Sequence, residues 1–356
     1  MRIGIPREIK PLEGRVALTP DACGDLVRAG HSVFVEHAAG TLSGYPDAHY
    51  EAAGAQIAAD AAATYAAAEL VVKVKEPVAG DLAQLRPGHL LFCYLHLAAN
   101  LDLLRQLQEI GLTAVGFETV VTDTGQLPLL APMSDIAGRL ATQIGASLLQ
   151  QPQGGKGLLL GGLPCAERGR VVILGAGNAG GNAAAMAAAM GAEVVVFDRQ
   201  RDRLAAMRAL GNNVTGLYPY PDAIEREVAT ADLLIGAVLI PGDRAPHIVS
   251  RAQVAAMQPG SVIVDVSVDQ GGCIETTRPT NYADPTYIES GVVHFAVTNM
   301  PGAVPRSASQ ALSAALLPYV HSISQPDWRS NADLQRGINI RGGRIEHAAL
   351  KHLLEK

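Results

Sequence analysis

Short apolar runs alternate along the chain with longer segments whose apolar residues recur at helical spacing. Short apolar runs bounded by glycine or polar residues predict buried strands. Two intervening segments, DACGDLVRAG and NLDLLRQLQEIG, predict helices that end at glycine. The alternation predicts an α/β fold with parallel sheets. The predicted strands are RIGIP, HSVFVE, LVVKVK, HLLFCYL and TAVGFE, followed by VVILG, EVVVFD, LLIGAVL, SVIVDVSVD and VVHFAV.

The second half of the chain contains further helix and turn signals. Apolar residues recur at helical spacing from Met133 to Leu148, which predicts a long helix with Ser134 as its N-cap. SASQALSAALLPYVHSI and EHAALKHLLEK predict later helices. The glycine-rich segment QPQGGKGLLLGG is expected to lead into a short hairpin. INIRGGRI predicts another hairpin with Gly-Gly at its turn.

Composition limits the classes of function. The chain has 356 residues, 48% of them hydrophobic and 17% charged, which is enough for two domains with large cores. A net charge of −6 argues against nucleic acid as a partner. No stretch resembles a signal peptide or a membrane span. The four cysteines are widely spaced, so we expect neither disulfides nor a metal site, but a reducing cytoplasm with cysteines as small hydrophobic residues.

The sequence VVILGAGNAGG carries the strongest chemical signal in the chain. Gly175, Gly177 and Gly180 form a G-x-G-x-x-G pattern between a predicted strand and a predicted helix. Such glycines allow a tight turn, close approach of a pyrophosphate, and close packing of the helix on the strand. The helix N-terminus then offers N–H groups to phosphate. Asp198 ends the next strand about 20 residues later, where a carboxylate binds the ribose hydroxyls of a dinucleotide.

The residues after Asp198 bear on the choice between NAD and NADP. Arg199 follows Asp198 directly, and Arg201 and Arg203 lie nearby. Arginine can pair with the 2′-phosphate of NADP, whereas the carboxylate repels it. We expect the carboxylate to dominate, so the sequence predicts NAD.

The first half of the chain offers three candidate groups for a substrate. VVKVKEP alternates valine with Lys73 and Lys75, which fits either a half-buried strand with a solvated face or an anion site at the strand end. His96 follows an apolar strand and is either structural or a proton-transfer group. Arg15 precedes a predicted helix and is either solvent-facing or a binding residue.

Two later strands also end in polar residues. SVIVDVSVDQGGC contains Asp265 inside the run and Asp269 at its end. Because parallel sheets bind ligands at the carboxyl ends of their strands, Asp269 is the functional candidate and Asp265 the structural one. AVTNMPG similarly places Asn299 and Met300 at a strand exit, within reach of a nicotinamide ring.

Taken together, these motifs resemble the bacterial alanine dehydrogenase family, which is related to the nicotinamide-binding subunit of transhydrogenase. The resemblance covers nearly the whole chain. The stretches that carry it are GIPREIKPLEGRVALTP, VVKVKEP, YLHLAAN, PLLAPMSDIAGRLATQIGA, QGGKGLLLGGLP, GAVLIPGDRAPHIV, VDQGGCIETTRPT and TNMPGAVPRSASQALS. Arg199 and the segment YPYPDAI, which contains Tyr220, depart from the family pattern near the adenosine end of the cofactor.

The resemblance implies a role for each matching residue. Arg15 and Lys75 would hold the carboxylate and oxo group of pyruvate, which leaves Lys73 solvated or structural. His96 would transfer protons, and Asp269 would orient the amine or imine. The implied NAD-binding positions are Ser134, Gly175, Gly177, Gly180, Asp198, Arg203, Val238, Leu239, Val266, Val268, Arg278, Val297, Asn299 and Met300.

The resemblance also implies the domain organisation. A central Rossmann-type dinucleotide-binding domain would span residues 129–305. A discontinuous α/β substrate domain would combine residues 1–128 and 306–356. We expect a cytoplasmic homo-oligomer, a hexamer by resemblance, with no metal and no nucleic-acid or membrane partner.

The implied activity is reversible, NAD-dependent oxidative deamination of L-alanine to pyruvate and ammonium. One alternative is a soluble NAD-binding transhydrogenase subunit. A second alternative is a nicotinamide-cofactor sensor without turnover.

Overall fold

The computed structural model describes residues 1–238 and 245–354, with side chains to residue 352. It divides into two compact units. Unit 1 combines Met1–Met133 with Gly302–Lys356, and unit 2 is Ser134–Pro301. Each unit is built on a single mainly parallel sheet among its described residues. This is the two-domain α/β architecture that the sequence predicts.

Unit 1 contains a sheet in the order β15-β14-β6-β5-β4-β1-β2-β3. Six of its strands are parallel neighbours, and the terminal hairpin β14–β15 adds antiparallel to β6. Residues of β1, β4 and β5 are almost wholly buried, as expected for a sheet covered on both faces. The strands are β1 Arg2–Ile5, β2 Ser32–Glu36, β3 Gln56–Ala58, β4 Leu70–Val72, β5 Leu90–Cys93, β6 Thr113–Gly116, β14 Ile338–Arg341 and β15 Arg344–Ile345.

Helices of unit 1 begin and end where local chemistry favours it. Asn100 caps the helix of the NLDLLRQLQEIG segment by accepting the Leu103 N–H at 3.1 Å, and Gly111 ends it with φ +80°. The helices are α1 Pro20–Arg28, α2 Asp47–Ala52, α3 Ala61–Ala67, α4 Ala79–Leu82, α5 Leu101–Ile110, α11 Pro305–Ile323, α12 Ala332–Arg336 and α13 Ala348–Leu354.

Unit 2 contains a sheet in the order β12-β13-β11-β10-β7-β8-β9, with only the edge strand β12 antiparallel among the described strands. Its helices are α6 Ala131–Leu148, which starts just before the unit boundary, α7 Asn178–Ala189, α8 Arg201–Arg208, α9 Pro221–Ala229 and α10 Arg251–Ala255. Its strands are β7 Arg170–Leu174, β8 Glu193–Phe197, β9 Val214–Leu217, β10 Leu233–Gly236, β11 Val262–Asp265, β12 Thr286–Glu289 and β13 Val292–Phe295.

The two sheets have the same strand order. In each, the six parallel strands follow the spatial order 3-2-1-4-5-6 when numbered along their own unit. This is the doubly wound order, in which the first and fourth strands lie side by side, and the chain adds strands toward one edge of the sheet before this point and toward the other edge after it. Ligands bind beyond the carboxyl ends of these two strands. The relevant pairs are β1 with β4 in unit 1 and β7 with β10 in unit 2.

Two local predictions were wrong, and a third holds only in its smallest form. The helix α6 begins at Ala131, so Ser134 lies inside its first turn and is not the N-cap. Residues 151–153 form a short 3-10 helix, and the glycine-rich segment leads into a single antiparallel bridge between Leu163 and Ala166 in place of a longer hairpin. The strand in LVVKVK ends at Val72, before either lysine. The hairpin of INIRGGRI is confirmed, with Gly342 and Gly343 both at positive φ.

The functional domains predicted for residues 129–305 and for 1–128 with 306–356 stay a prediction. The observed units are defined by compactness, which does not say which ligand each unit holds.

Candidate active site

The glycine loop lies at the switch point of unit 2. Gly175 follows β7 with φ +96°, and a Cβ there would lie 2.7 Å from the carbonyl oxygen of Ala237, at the end of β10. A Cβ on Gly180 would overlap the carbonyl oxygen of Gly175, so α7 packs tightly against the turn. At Gly177 the nearest heavy atom to an added Cβ is 3.9 Å away. The loop is therefore closed at its first and third glycines and open at the second, where a pyrophosphate would approach.

Asp198 is fixed at the carboxyl end of β8. Its Oδ2 accepts the N–H of Ala176 in the glycine loop at 2.8 Å, and its Oδ1 accepts the N–H of Gln200 at 2.8 Å. The Arg203 guanidinium lies 3.7 Å from Oδ2. The carboxylate thus sits directly beside the loop, with its orientation set by backbone. Arg199 is exposed.

An exposed pair of tyrosines lies at the end of the neighbouring strand β9. Tyr218 and Tyr220 have ring centroids 4.8 Å apart and are 49% and 64% exposed. The backbone N–H of Asp198 donates to the carbonyl of Leu217 at 3.2 Å, so the tyrosines follow directly after the residue that pairs with Asp198. This places two aromatic rings close to the proposed ribose site.

Asp269 lies on a short 3-10 turn, residues 266–270, that follows β11. Its side chain is exposed, whereas Asp265 at the end of the strand is 1% exposed. Burial raises the pKa of Asp265, although hydrogen bonds from Thr277, Ser267 and Cys273 oppose the shift. The structure is consistent with a structural Asp265 and an accessible Asp269.

The remaining predicted cofactor positions fall into two groups. Val268, Val297 and Met300 have buried side chains, so a ligand could reach only their backbone groups, and the Met300 carbonyl already accepts the Tyr282 hydroxyl at 2.8 Å. Ser134, Val238 and Val266 are partly buried. Asn299 adopts φ +61°, a conformation that asparagine tolerates, and Arg278 is exposed, with its guanidinium 4.1 Å above the Tyr287 ring. Leu239 lies outside the described residues.

A buried ion cluster occupies the switch point of unit 1. Lys73 follows β4, is 1% exposed, and donates from Nζ to Glu8 at 3.0 Å. Its Nζ also lies 3.3 Å from Asp81 and 3.1 Å from the carbonyl oxygen of Lys75. Burial lowers the pKa of Lys73, but Glu8 and Asp81 outweigh burial and raise it overall. Lys73 is therefore a buried structural cation, and the interpretation of a solvated strand face was wrong.

Glu8 connects this cluster to the backbone of Lys75. Its Oε1 accepts the N–H of Val74 at 2.6 Å and that of Lys75 at 3.4 Å. The Lys75 side chain is only partly buried, and its Nζ lies 3.6 Å from Oε2 of Glu76. Because Lys73 and Glu8 hold both sides of the segment, the position of Lys75 is set by buried charges.

Arg15 is also buried, at 2% exposure. Its Nε donates to Oε1 of Glu13 at 2.6 Å and its Nη2 donates to Oε2, a two-point pairing, while Nη1 lies 3.2 Å from the Met133 sulfur. Burial lowers the pKa of Arg15, but the hydrogen bonds and charge of Glu13 reverse this and raise it. A guanidinium has five N–H donors, and Glu13 takes two of them.

His96 lies beyond β5 in a left-handed backbone conformation, with φ +48°. The carboxylate of Glu118 accepts its N–H at 2.7 Å and the N–H of Leu95 at 3.2 Å. The imidazole is exposed and stacks on Tyr94, with centroids 5.8 Å apart and planes 10° apart. Non-glycine residues with positive φ are uncommon and cluster at functional sites, so His96 remains a candidate functional residue.

A cavity of about 280 Å³ lies at this end of the unit 1 sheet, lined in part by Arg7, Glu8, Glu13 and Arg15. Lys75 and His96 do not line it. Tyr94 is the ring on which His96 stacks, and Glu8 accepts the backbone N–H of Lys75. Of the three predicted substrate residues, Arg15 lines this cavity, whereas Lys75 and His96 are held by their own contacts with Glu8 and Glu118.

Sequence reasoning missed Glu8, Glu13, Tyr94 and Glu118. Glu8 and Glu13 lie in the GIPREIKPLEGRVALTP stretch, and their spacing from Lys73 and Arg15 gives no periodic signal. Glu8 and Glu13 are buried by tertiary packing, which the local sequence does not show. Within residues 1–238 and 245–354, no cluster of His, Cys, Asp or Glu could hold a metal ion. In the same described part of the chain, no helix has both the length and the apolarity to cross a membrane.

The residues of unit 2 fit a nicotinamide dinucleotide. The open approach at Gly177 and the helix N-terminus of α7 suit a pyrophosphate, and Asp198 suits a ribose diol.

Cys23, Cys93 and Cys273 are buried as small hydrophobic residues, whereas Cys165 is exposed.

Comparison with known proteins gives the family. Residues 4–137 match the sequence model "Alanine dehydrogenase/PNT, N-terminal domain", and residues 141–348 match its C-terminal domain. The chain is 47% identical to an alanine dehydrogenase of Halomonas elongata, covering 98% of this chain and 96% of that protein. It is 46% identical to one of Geobacillus stearothermophilus, over 98% and 95% of the two chains.

Solved structures agree with these relatives. An L-alanine dehydrogenase superposes with a TM-score of 0.96 at 48% identity, covering 100% of this chain and 99% of that chain. A transhydrogenase from Sinorhizobium meliloti superposes with a TM-score of 0.84 at 26% identity, over 98% and 100% of the chains. The fold, both domain matches and the full-length identity agree: the chain belongs to the alanine dehydrogenase/PNT family.

Proposed function

We propose that this protein is an NAD-dependent L-alanine dehydrogenase. It interconverts L-alanine, NAD⁺ and water with pyruvate, ammonium, NADH and a proton. One observation carries the proposal: identity of 46–47% over 98% of the chain to curated alanine dehydrogenases. In unit 2, Asp198 and the glycine loop support it. In unit 1, the buried cations Arg15 and Lys73 support it as well.

The residues of unit 2 bind the cofactor and set its identity. The Gly177 backbone and the N-terminus of α7 bind the pyrophosphate. Asp198 accepts hydrogen bonds from the ribose hydroxyls and repels a 2′-phosphate, which favours NAD. When bound, the nicotinamide ring supplies the carbon that accepts or donates hydride. Asn299 and Arg278 are the proposed contacts nearer that ring, together with the backbone of residues 297–300.

The residues of unit 1 bind the oxo acid and move protons. Arg15 and Lys75 bind the carboxylate and the oxo group of pyruvate. Glu13 pairs with the Arg15 guanidinium, and Glu8 holds the backbone of Lys75. The His96 imidazole takes the proton from the water that adds to the imine, and returns it in the reverse direction. Asp269, which belongs to unit 2, has the proposed role of stabilising the cationic iminium that forms when hydride leaves the substrate carbon.

The assay measures NADH absorbance with purified protein. NADH should be consumed only when pyruvate and ammonium are both present, and formed from NAD⁺ and L-alanine. Exchange of hydride between NADH and an NADP analogue, without pyruvate, would instead support the transhydrogenase alternative. Cofactor binding with no turnover of any amino acid would support the sensor.

The variant His96→Ala tests the proposed proton transfer. A positioned acid/base contributes about 10²–10⁴-fold to rate, so turnover should fall by that factor. ADP-ribose binding, measured by calorimetry, should be unchanged because the glycine loop belongs to unit 2. Full turnover by His96→Ala would contradict the proposed proton-transfer role.

The oligomeric state and location stay predictions. We propose a homo-hexamer in the cytoplasm. Light scattering of the purified protein gives the mass of the assembly, and cell fractionation gives the location.

A further inference from the structure

One buried carboxylate joins the two ends of the loop that carries Asp269. The Oδ1 atom of Asp265 accepts the N–H of Ser267 at 2.9 Å, and its Oδ2 accepts the N–H of Cys273 at 2.9 Å. Asp269 lies between these two residues in the chain. The backbone of the loop is therefore closed by a single side chain that lies outside it.

Thr277 holds this carboxylate in turn. Its hydroxyl donates to Oδ2 of Asp265 at 2.6 Å, and the Cys273 sulfur lies 3.7 Å from Oδ1. Asp265 is 1% exposed, so water does not compete for these oxygens. A buried carboxylate is stable only when donors surround it, and here the donors are the loop ends and Thr277.

Two surrounding glycines leave room for this arrangement. A Cβ on Gly272 would lie 2.8 Å from Thr277 and 2.9 Å from Oδ2 of Asp265, and the residue has φ +81°. A Cβ on Gly236 in β10 would lie 2.7 Å from Oδ1. Backbone therefore contacts the carboxylate on two sides, at positions where only glycine fits.

The loop also has bonds besides those to Asp265. Gly271 and Gly272 donate to the carbonyls of Val268 and Ser267 at 3.0 Å each, and a 3-10 turn has weaker hydrogen-bond geometry than an α-helix. The Ser267 hydroxyl donates to the carbonyl of Val238 at 2.8 Å, and the Ala245 N–H donates to the carbonyl of Gln270 at 3.0 Å. Asp265 adds to these bonds the two that join the ends of the loop.

We propose that Asp265 and Thr277 are positioning residues that fix the carboxylate of Asp269 for its role at the substrate iminium. The proposal rests on the proposed function, since it assumes that Asp269 touches the substrate. Misplacing a charged group by about 1 Å can reduce a rate about 100-fold, so the geometry of this loop affects turnover directly.

Thr277→Val tests the proposal with a matched control. Valine preserves the shape of threonine and removes the hydroxyl that donates to Asp265. Thr276→Val makes the same change one residue earlier, where the buried hydroxyl pairs with His294 at 2.8 Å instead. We expect kcat for alanine deamination to fall about 10-fold to 100-fold in Thr277→Val and less than about 2-fold in Thr276→Val. ADP-ribose affinity should change less than about 2-fold in both.

A double-variant cycle asks whether the effect passes through Asp269. In the Asp269→Asn background the Thr277→Val change should have little further effect on kcat, because the group being positioned is already gone. An equal loss of kcat in both backgrounds would overturn the proposal. If Asp269→Asn itself keeps full turnover, the proposed function of Asp269 fails, and the positioning role fails with it.

Hydrogen exchange tests the loop without reference to activity. The amides of Ser267 and Cys273 should exchange faster in Thr277→Val and in Asp265→Asn, because asparagine replaces an acceptor oxygen by an NH₂ donor facing N–H groups. Thr276→Val should leave both amides protected. Unchanged exchange at both amides in Thr277→Val would show that the carboxylate does not hold the loop. Faster exchange with full turnover would show that the loop position does not matter for chemistry.

Discussion

At the scale of single residues, the clearest lesson concerns Lys73 and Lys75. They are two positions apart, yet one is buried among carboxylates and the other reaches a partly buried surface. The segment follows a strand that is buried on both faces, as parallel strands are, so alternation there does not mean alternation between core and water. The difference between the lysines depends on Glu8, which is 65 residues away from Lys73 in the chain. Local sequence contains no sign of that contact.

Removing Lys73 should destabilise the protein. Lys73→Met leaves Glu8 and Asp81 buried without their cation, and breaking a buried ion pair in this way costs about 3–5 kcal/mol. The free energy of unfolding, measured with urea, should fall by that amount.

Lys75→Met is the matched variant. It should change the free energy of unfolding by about 1 kcal/mol or less, since its pairing with Glu76 is partly exposed. It should nevertheless lose most turnover. Equal stability of the two variants would contradict the structural role of Lys73.

Asp198 should determine the choice of cofactor. Asp198→Ala removes the charge that repels a 2′-phosphate and leaves Arg199 and Arg203 able to bind one. The ratio of kcat/KM for NAD to that for NADP should fall by about 10-fold or more, as expected for about 1.4 kcal/mol. Arg199→Ala, which removes an exposed cation and retains Asp198, is the control and should raise the preference for NAD or leave it unchanged. An unaltered ratio in Asp198→Ala would disprove the ribose assignment.

At the scale of elements, the glycines of the loop meet different requirements: one allows close packing and another leaves open space. Gly180 is needed for packing, because a Cβ there overlaps the Gly175 carbonyl, whereas Gly177 has room for one. The motif already predicts that the second glycine allows a pyrophosphate to approach and that the third allows the helix to pack on the strand. The distances in the structure agree with that division, and the binding role of Gly177 stays a prediction.

This separation can be tested with one methyl group at each position. Gly180→Ala should lower the free energy of unfolding by about 1–3 kcal/mol through overpacking. Gly177→Ala should keep the wild-type stability and weaken ADP-ribose binding by about 10-fold or more, because the methyl group occupies the approach of the phosphates. Calorimetric binding and urea unfolding of both variants check this. A loss of stability in Gly177→Ala with normal binding would reverse the assignment.

Elements with a clear apolar pattern were predictable, and those without one were not. The strands of RIGIP, HSVFVE and EVVVFD and the capped helix α5 lie where the pattern places them. The strands β3, β9 and β12 were missed, since their sequences QIA, VTGL and TYIE contain no apolar run. Candidate site residues could be named because motif and family resemblance mark them. The carboxylates that orient them could not, since burial of Glu8 and Glu13 follows from tertiary packing.

At the scale of the whole molecule, buried histidines affect how stability depends on pH. His89 and His294 are 2% and 1% exposed, and burial lowers the pKa of both below the ordinary histidine value. Below about pH 6.5 the unfolded chain therefore binds protons that the folded protein does not. Above that pH the two histidines do not change the free energy of unfolding through proton binding. As the pH falls below it, they lower the free energy of unfolding.

We accordingly expect the free energy of unfolding to decrease between about pH 7 and pH 5.5. Urea denaturation at several pH values measures the slope. His89→Asn should reduce the slope, while its effect on stability at about pH 8 gives the baseline cost of the substitution itself. A slope unaffected by His89→Asn would mean that this histidine takes up its proton equally in both states.

The order of the strands in unit 1 has a consequence for synthesis. The edge of β6 is covered by β14, and the hydrogen bond between Thr119 and the Gly337 carbonyl joins residues 218 positions apart. A ribosome adds about 5–20 residues per second, so β6 waits on the order of ten seconds or more with an unpaired edge. All of unit 2 is translated during that interval and can fold first. The nascent chain can thus complete unit 2 early, and it depends on its last segment to protect the edge of β6 in unit 1 from pairing with a neighbouring chain.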